Sequence, residues 1–458
     1  MKNIIKILCT AIILSITIIS LVGCGSNESE VYLLNFKPEE DKAFKEIADK
    51  YREETGVNVK VQTAASNQYE STLQSEILKT SKPSIFIING PIGYQSWKNY
   101  TLDLRDTAKE GYHKLNLYDD LLNKSLAVQN EEGVFGIPTA IEGYGLVYNK
   151  KVFNEYFLQE NRSSNLSSLK EVSSFNELKT IVEDLTKYIT GNKKAIDAPN
   201  INALKGVFVS TSLKEGSAWP YTTHLLNIPM IYEFKKQNDD PIIGGLELKE
   251  IEFTYHNEYK ALFDLYINNS LTSRNLLGDK SYDDAVSEFA TGKAAFIQQG
   301  NWVYSNIKSV AGNTINDDDI GMIPIYLGIE KENNSSISVG TENYWCINKT
   351  VSKDSINASI DFINWLFTGN GRKYVSEKLG FISPFKQMEE YKPSDPLSKE
   401  VLSYIKQGKE TLPWAFVSFP SEKFKSDFNG ALLYYVQGKM TWEDVVKTVK
   451  DSWKKEAS

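Results

Sequence analysis

The chain has 458 residues, 41% hydrophobic, 24% charged and 12% aromatic, the proportions of a globular protein of two or three domains. They exclude a disordered or collagen-like chain, and a formal net charge of −8 argues against a nucleic-acid partner or a polyanionic substrate. Three histidines (His113, His224, His256) stand too far apart for a local metal motif, and Cys9, Cys24 and Cys346 lie in contexts too different for a disulfide framework.

The chain begins as a targeting segment. Lys2 and Lys6 precede the uncharged run Ile7–Val22, which reads as a secretory n-region and h-region. Leu21-Val22-Gly23-Cys24 resembles a bacterial lipobox, which implies cleavage before Cys24 and acylation of its thiol. An uncleaved anchor is the alternative, since the 16 residues of the run approach the roughly 17 that span a bilayer. Gly25–Glu30 then forms a polar tether. Loss of Met1–Gly23 removes two lysines, so the mature charge is −8 − 2 = −10. Cys346 is left unpaired, and its context predicts burial.

Beyond the tether, strand-like and helix-like segments alternate. Val31–Leu34 reads as a buried strand. Phe44, Ile47, Ala48 and Tyr51 follow at helical spacing, with Gly56 as a C-cap. Val57, Val59 and Val61 alternate with polar residues as a second strand. Leu73, Ile77 and Leu78 mark a second helix, and Ile85–Ile88 a third strand. This β-α-β-α-β order predicts an α/β fold with a mainly parallel, helix-covered sheet. Asn161–Ser168 and Glu330–Ser336 read as surface loops, and helices are predicted around Ala285–Phe289 and Ile356–Phe367. Ser174 and Glu177 form a capping box, and Thr441 with Asp444 a weaker one. No Pro/Gly/Ser-rich linker divides the chain, so two lobes would be joined by strands or short crossovers.

Catalytic motifs are missing. Gly292-Lys293 lacks the remainder of a phosphate-binding loop, and no H-E-x-x-H, G-x-S-x-G or C-x-x-C occurs. Asp317-Asp318-Asp319 reads as a solvated turn, because Ile320 occupies a calcium-ligand position and no glutamate closes the loop. Glu131/Glu132 or Asp103/Asp106 would serve a surface hydrolase as acid and base, yet both pairs sit beside predicted turns. No metal or cofactor is expected.

Several separated segments together resemble the family 1 extracellular solute-binding lipoproteins of carbohydrate ABC importers, the class that includes maltodextrin binders. The first is Gly136-Ile137-Pro138, then Gly145-Leu146-Val147-Tyr148-Asn149-Lys150. The second is Phe289–Phe296, with Gly300-Asn301-Trp302 after it. Ile320–Pro324, Asn348–Phe367, Gly380–Pro384 and Gln437–Asp444 complete the set. Asn301 departs from the pattern, in which proline or serine often precedes the tryptophan, and Ser217–Glu233 has no clear counterpart. The resemblance implies a two-lobe periplasmic-binding-protein fold, type II-like, hinged around an interlobe cleft. Residues 31–140 and 336–385 would build the N-terminal lobe, and 141–335 and 386–458 the C-terminal one.

The resemblance also implies a monomer that binds a sugar without turnover and hands it to ABC permease subunits, with the lipid on Cys24 holding it at the membrane. Sugars present apolar C–H faces and a hydroxyl rim, so aromatic platforms and planar hydrogen-bonding side chains are the candidates. Trp302 matches the family's stacking position, and Glu142 a carboxylate that contacts hydroxyls, with Tyr144 beside it. Asn35, Phe36, Ser66, Asn89 and Gly90 end the first three strands. Gln299 and Asn301 flank the tryptophan; Glu342, Asn343 and Tyr344 lie near a second crossing; Trp219, Tyr221 and Trp414 sit in proline-bearing loops. A non-sugar solute (a polyamine, peptide or metal chelate) is the rival ligand class.

Overall fold

The computed structural model describes residues 31–65, 68–329, 335–408 and 410–457. The targeting segment with Cys24, the candidate Ser66 and residues 330–334 of one expected loop lie outside them. In chain order the strands are β1 (Val31–Asn35), β2 (Val59–Thr63), β3 (Ile85–Asn89), β4 (Val128–Gln129), β5 (Val134–Pro138) and β6 (Glu142–Asn149). There follow β7 (Gly206–Phe208), β8 (Ala294–Gly300), β9 (Ile320–Ile323), β10 (Ser335–Gly340), β11 (Asn343–Ile347) and β12 (Glu410–Pro413).

They form two sheets. The first runs β2-β1-β3-β11-β5-β4. β1 is hydrophobic up to its last residue, Asn35, and buried throughout, as a strand covered on both faces should be. Helices Asp41–Thr55 and Lys353–Thr368 contribute Phe44, Ile47, Ile360 and Phe362 to the core around it. The first of these ends at Gly56 (φ +78°), whose N–H reaches the Arg52 carbonyl, as its spacing predicts. The next helix, Tyr69–Glu76, stops short of the predicted Leu78, which lies 76% exposed in the turn beyond. The expected parallel order holds for β1 with β2 and β3. It fails farther along: β11 inserts antiparallel between β3 and β5, and β4 pairs antiparallel with β5, so the sheet is mixed. Cys346 on β11 is buried and free, its thiol directed at the Phe135 carbonyl.

The second sheet runs β12-β10-β6-β8-β7, with β9 also paired to β6. Hydrophobic clusters cover both of its faces. Two boundaries shift from expectation. β10 hydrogen-bonds antiparallel to β6, so residues 336–340 belong to the second sheet rather than the first. Met388 still packs in the first core and Gln387 N–H donates to Asp120, so the last crossing follows residue 388 rather than 385. The chain thus passes between sheets at Thr139–Ile141, at Thr341–Glu342 and ahead of the helix Pro396–Lys406.

The two capping boxes reverse their expected strengths. Thr441 accepts from Asp444 N–H and Asp444 accepts from Thr441 N–H, a complete box. Glu177 instead bends to the Ser173 N–H, leaving Ser174 as a one-sided cap. Asp317 and Asp319 lie in a short turn and pair with Lys308 and Lys151.

Candidate functional site

The carboxyl ends of β1 and β3 face the second sheet across a crevice, the usual place for ligands in open α/β sheets. A cavity of about 110 Å3 lies there, lined by Glu39 and Glu40, by Ala140–Glu142 of the first crossing, and by Asn301, Trp302 and Tyr304. That is well below the roughly 300 Å3 of an ordinary small-molecule pocket, so the crevice as it stands is closed to a ligand of that size. A second, narrow space of about 10 Å3 shares Glu40 and Glu142 and adds Asn35, Lys37 and Asn343.

The second lobe supplies the aromatic wall. β8 ends at Gly300, and Trp302 caps the short helix Val303–Ser309 just after it. Its indole N–H donates to Gln299 Oε1 at 3.0 Å, which fixes the ring's direction. Around the half-buried ring stand His224 at 5.4 Å, Trp414 at 6.0 Å in an edge-on arrangement, and Trp219 at 6.1 Å. Trp219 and His224 come from one local irregularity, a π-helical turn over Pro220–Leu225 that enters the helix Leu226–Gln237. Such turns widen a helix by one residue and recur at functional sites. Trp414 follows β12, is 2% exposed, and leaves its indole N–H without a partner.

The polar wall straddles the crossings. Lys37, in the turn after β1, forms a buried ion pair with Glu142 at the start of β6, and its Nζ lies 3.7 Å from Glu40. Burial alone would lower the Lys37 pKa; Glu142 and Glu40 more than reverse this, and it ends above its ordinary value. Asn35 is buried and holds that turn, donating to the Lys37 carbonyl at 2.7 Å. Burial pushes Glu40 well above the carboxylate range against the pull of Lys37. Glu342 is pushed up to about 7, first by burial and then by the charge of Glu142, with Lys425 and Lys37 opposing. Asn343 is 7% exposed, and neither its amide nitrogen nor its amide oxygen has a partner. Gly90 (φ +62°) lets the lobes meet: a Cβ there would lie 2.9 Å from Val417 Cβ.

Not every candidate reaches the crevice. Tyr144 is enclosed, stacked on His224 at 4.4 Å, with its hydroxyl donating to the His224 carbonyl. Tyr221 is buried among Phe263 and Tyr266, because the wide turn rotates it inward. Tyr344 donates to the Thr341 carbonyl from within the first core. Asn301 lines the cavity but spends its amide on the scaffold: it accepts from Gly143 N–H and donates to Ser398, tying the tryptophan loop to β6. Phe36 packs edge-on to Tyr69, and Asn89 is exposed where the helix Gly90–Trp97 starts. Lys37, Glu39, Glu40 and Tyr304 line the crevice without being singled out by sequence spacing, and His224 stands behind Trp302. For His224 the unusual Trp219-Pro220-Tyr221 stretch beside it is the available signal.

His224 is 4% exposed, and burial, with Lys425 adding to it, holds its pKa down to about 3. The native ring is therefore neutral at pH 7, while the unfolded ring titrates at its ordinary value of about 6.5. Between those two values the unfolded chain binds the extra proton, so His224 withdraws stability as pH falls, by at most about 1.4 kcal/mol per unit. His224→Gln should flatten that part of the stability profile. Urea melts of both proteins at pH 7 and pH 5 measure it, and identical pH slopes would contradict it.

Residues 46–402 match the family model described as "Bacterial extracellular solute-binding protein". No curated protein sequence matches the chain. Among solved structures, a chitin oligosaccharide binding protein is similar at TM-score 0.68 and 18% identity, covering 93% of this chain and 98% of that one. The solute-binding protein RafE in complex with raffinose is similar at TM-score 0.66 and 16% identity, over 93% and 99%. Maltose-bound MalE3 of T. maritima is similar at 0.65 and 14%, over 93% and 98%. Identities this low speak to the fold, and the family match covers most of the chain: it belongs to the bacterial extracellular solute-binding proteins.

Proposed function

We propose that this protein captures a sugar or oligosaccharide between its lobes and delivers it, unaltered, to the permease of an ABC importer. The observation that carries this reading is the set of rings about Trp302, which faces carboxylates and amides across a crevice at the lobe crossings. Indole faces stack on sugar C–H surfaces, and carboxylates and amides take the hydroxyls. The printed ligands of the similar structures (chitin oligosaccharide, raffinose, maltose) point the same way. Trp302 is the platform in this reading, backed by Trp219 and Trp414, and Glu142, Glu342, Asn35 and Asn343 are the hydroxyl partners. Gly90 and Asn89 lie at the rim. Closure is a population shift driven by contacts to both lobes.

In the same reading the protein works as a monomer at the outer face of the cell membrane, held there by lipid on Cys24, and performs no catalysis. Among the described residues no helix is long and apolar enough to cross a membrane. A thermal-shift screen over mono- and oligosaccharides, with chromatography of each sugar afterwards, tests the reading. The expected result is a raised melting temperature with every sugar recovered intact. Cleavage products would make it a hydrolase, and no shift with any sugar would remove the sugar ligand.

A further inference from the structure

The charges facing the crevice do not balance. The crevice cavity is lined by five carboxylates, Glu39, Glu40, Glu142, Glu377 and Asp395. Against these five carboxylates stand two ammonium groups, Lys37 and Lys378, leaving 5 − 2 = 3 negative charges when all are ionised. Both lysines are already engaged, Lys37 with Glu142 and Lys378 with Glu46 at 2.9 Å. Glu342, at the crossing between Thr341 and Asn343 that line the narrow space, receives neither as a direct ion-pair partner among the described residues. The raised positions of Glu39, Glu40 and Glu342 are what burial without enough counter-charge produces.

A second observation is independent of charge. Asn343, 7% exposed, borders the narrow space that Glu40 and Glu142 also line, and its amide carbonyl and amide NH2 are both unpartnered. Buried amides are almost always hydrogen-bonded, so this one is set for a group absent from the protein itself. A neutral hydroxyl could satisfy the amide, but it would leave the carboxylates uncompensated once closure excludes water. A sugar bearing a protonated amine satisfies both: the ammonium donates to the amide oxygen and to carboxylates, and a neighbouring hydroxyl accepts from the amide NH2.

We propose, resting on the sugar-binding reading above, that the captured sugar carries a protonated amine, seated by Glu142, Glu342 and the Asn343 amide. The aromatic wall would take the ring face while the carboxylate wall takes the ammonium. The carboxylates then stay ionised on closure, whereas a neutral sugar would force proton uptake.

Calorimetric titration of the full mature protein at pH 7 tests this with matched oligosaccharide pairs, each in free-amine and N-acetylated form, and with spermidine. The free-amine sugars should bind at least about tenfold tighter than their neutral partners, as charge-assisted hydrogen bonds imply. Glu342→Gln should bring that ratio close to one. The wild-type ratio needs no variant, so a misfolded substitution leaves the test standing. Neutral sugars binding as tightly as amines would overturn the amine inference and leave the sugar reading intact. Spermidine binding alone, or silence across the panel, would overturn both.

Discussion

Trp302→Ala is expected to weaken capture of the proposed sugar ligand by roughly 30-fold or more, the effect of removing a central aromatic anchor from a binding site. The ring is the one indole that borders the crevice cavity while also touching the enclosed cluster of Trp219, His224 and Trp414. Its direction is set by the bond to Gln299, so the platform is ordered before ligand arrives and little rotamer entropy is lost on binding. Alanine removes the stacking face and lets water into a wall that otherwise excludes it. Trp302→Phe should recover part of the loss, since a smaller ring still stacks but cannot donate to Gln299. Calorimetry against the tightest sugar found in the thermal screen measures both, with far-ultraviolet circular dichroism confirming the unchanged fold. Equal affinity of the alanine variant and the natural protein would take Trp302 out of the site.

Lys37→Met should open the molecule rather than unfold it. Lys37 belongs to the turn after β1 in the first lobe, and Glu142 begins β6 in the second, so their buried ion pair holds one lobe to the other. Removing one member of a buried pair costs about 3–5 kcal/mol if the other stays buried and charged. Parting the lobes re-exposes Glu142 to water and relieves most of that cost. Each lobe keeps its own core, the first around β1 and β3 and the second on both faces of β6 and β8. Small-angle scattering of the ligand-free variant should therefore give a larger radius of gyration than the natural protein, with a melting temperature that moves much less. Lys37→Met/Glu142→Leu should restore the compact form, because the double change leaves no stranded charge. An unchanged radius accompanied by a large drop in melting temperature would show that the pair stabilises one fused body instead.

Local rules carry the first half of the sheet far, and the site less so. The alternating runs from Val31 to Ile88 specify three strands and two helices because each element is decided by its own apolar period. The antiparallel insertion of β11 is invisible to such rules, since Asn343 pairs with Asn89 across 254 positions of chain. Trp302, Glu142 and Asn35 are legible as site candidates because each closes or opens a strand whose end must face the crevice. Tyr144 and Tyr221 mislead, because an aromatic side chain next to a strand end reads alike whether it turns toward ligand or toward core. Only the π-helical turn decides for Tyr221, and no residue period announces that turn. Lys37 escapes notice because its importance lies wholly in a partner 105 residues away.

The threefold passage of the chain between its sheets has a consequence for how the protein is made. β11 lies in the middle of the first sheet, between β3 and β5, yet it is translated only after β6 to β10 of the second sheet. A chain emerging amino end first holds two unjoined ribbons, β2-β1-β3 and β4-β5, until residues 343–347 arrive. The second sheet waits longer still, for its edge strand β12 at Glu410–Pro413. Neither half can be finished on the ribosome before most of the polypeptide exists, so assembly is late and concerted, dominated by distant pairings that form slowly. Such a chain stays unfinished and threadable for most of its synthesis, and its native state becomes reachable only near the end of translation.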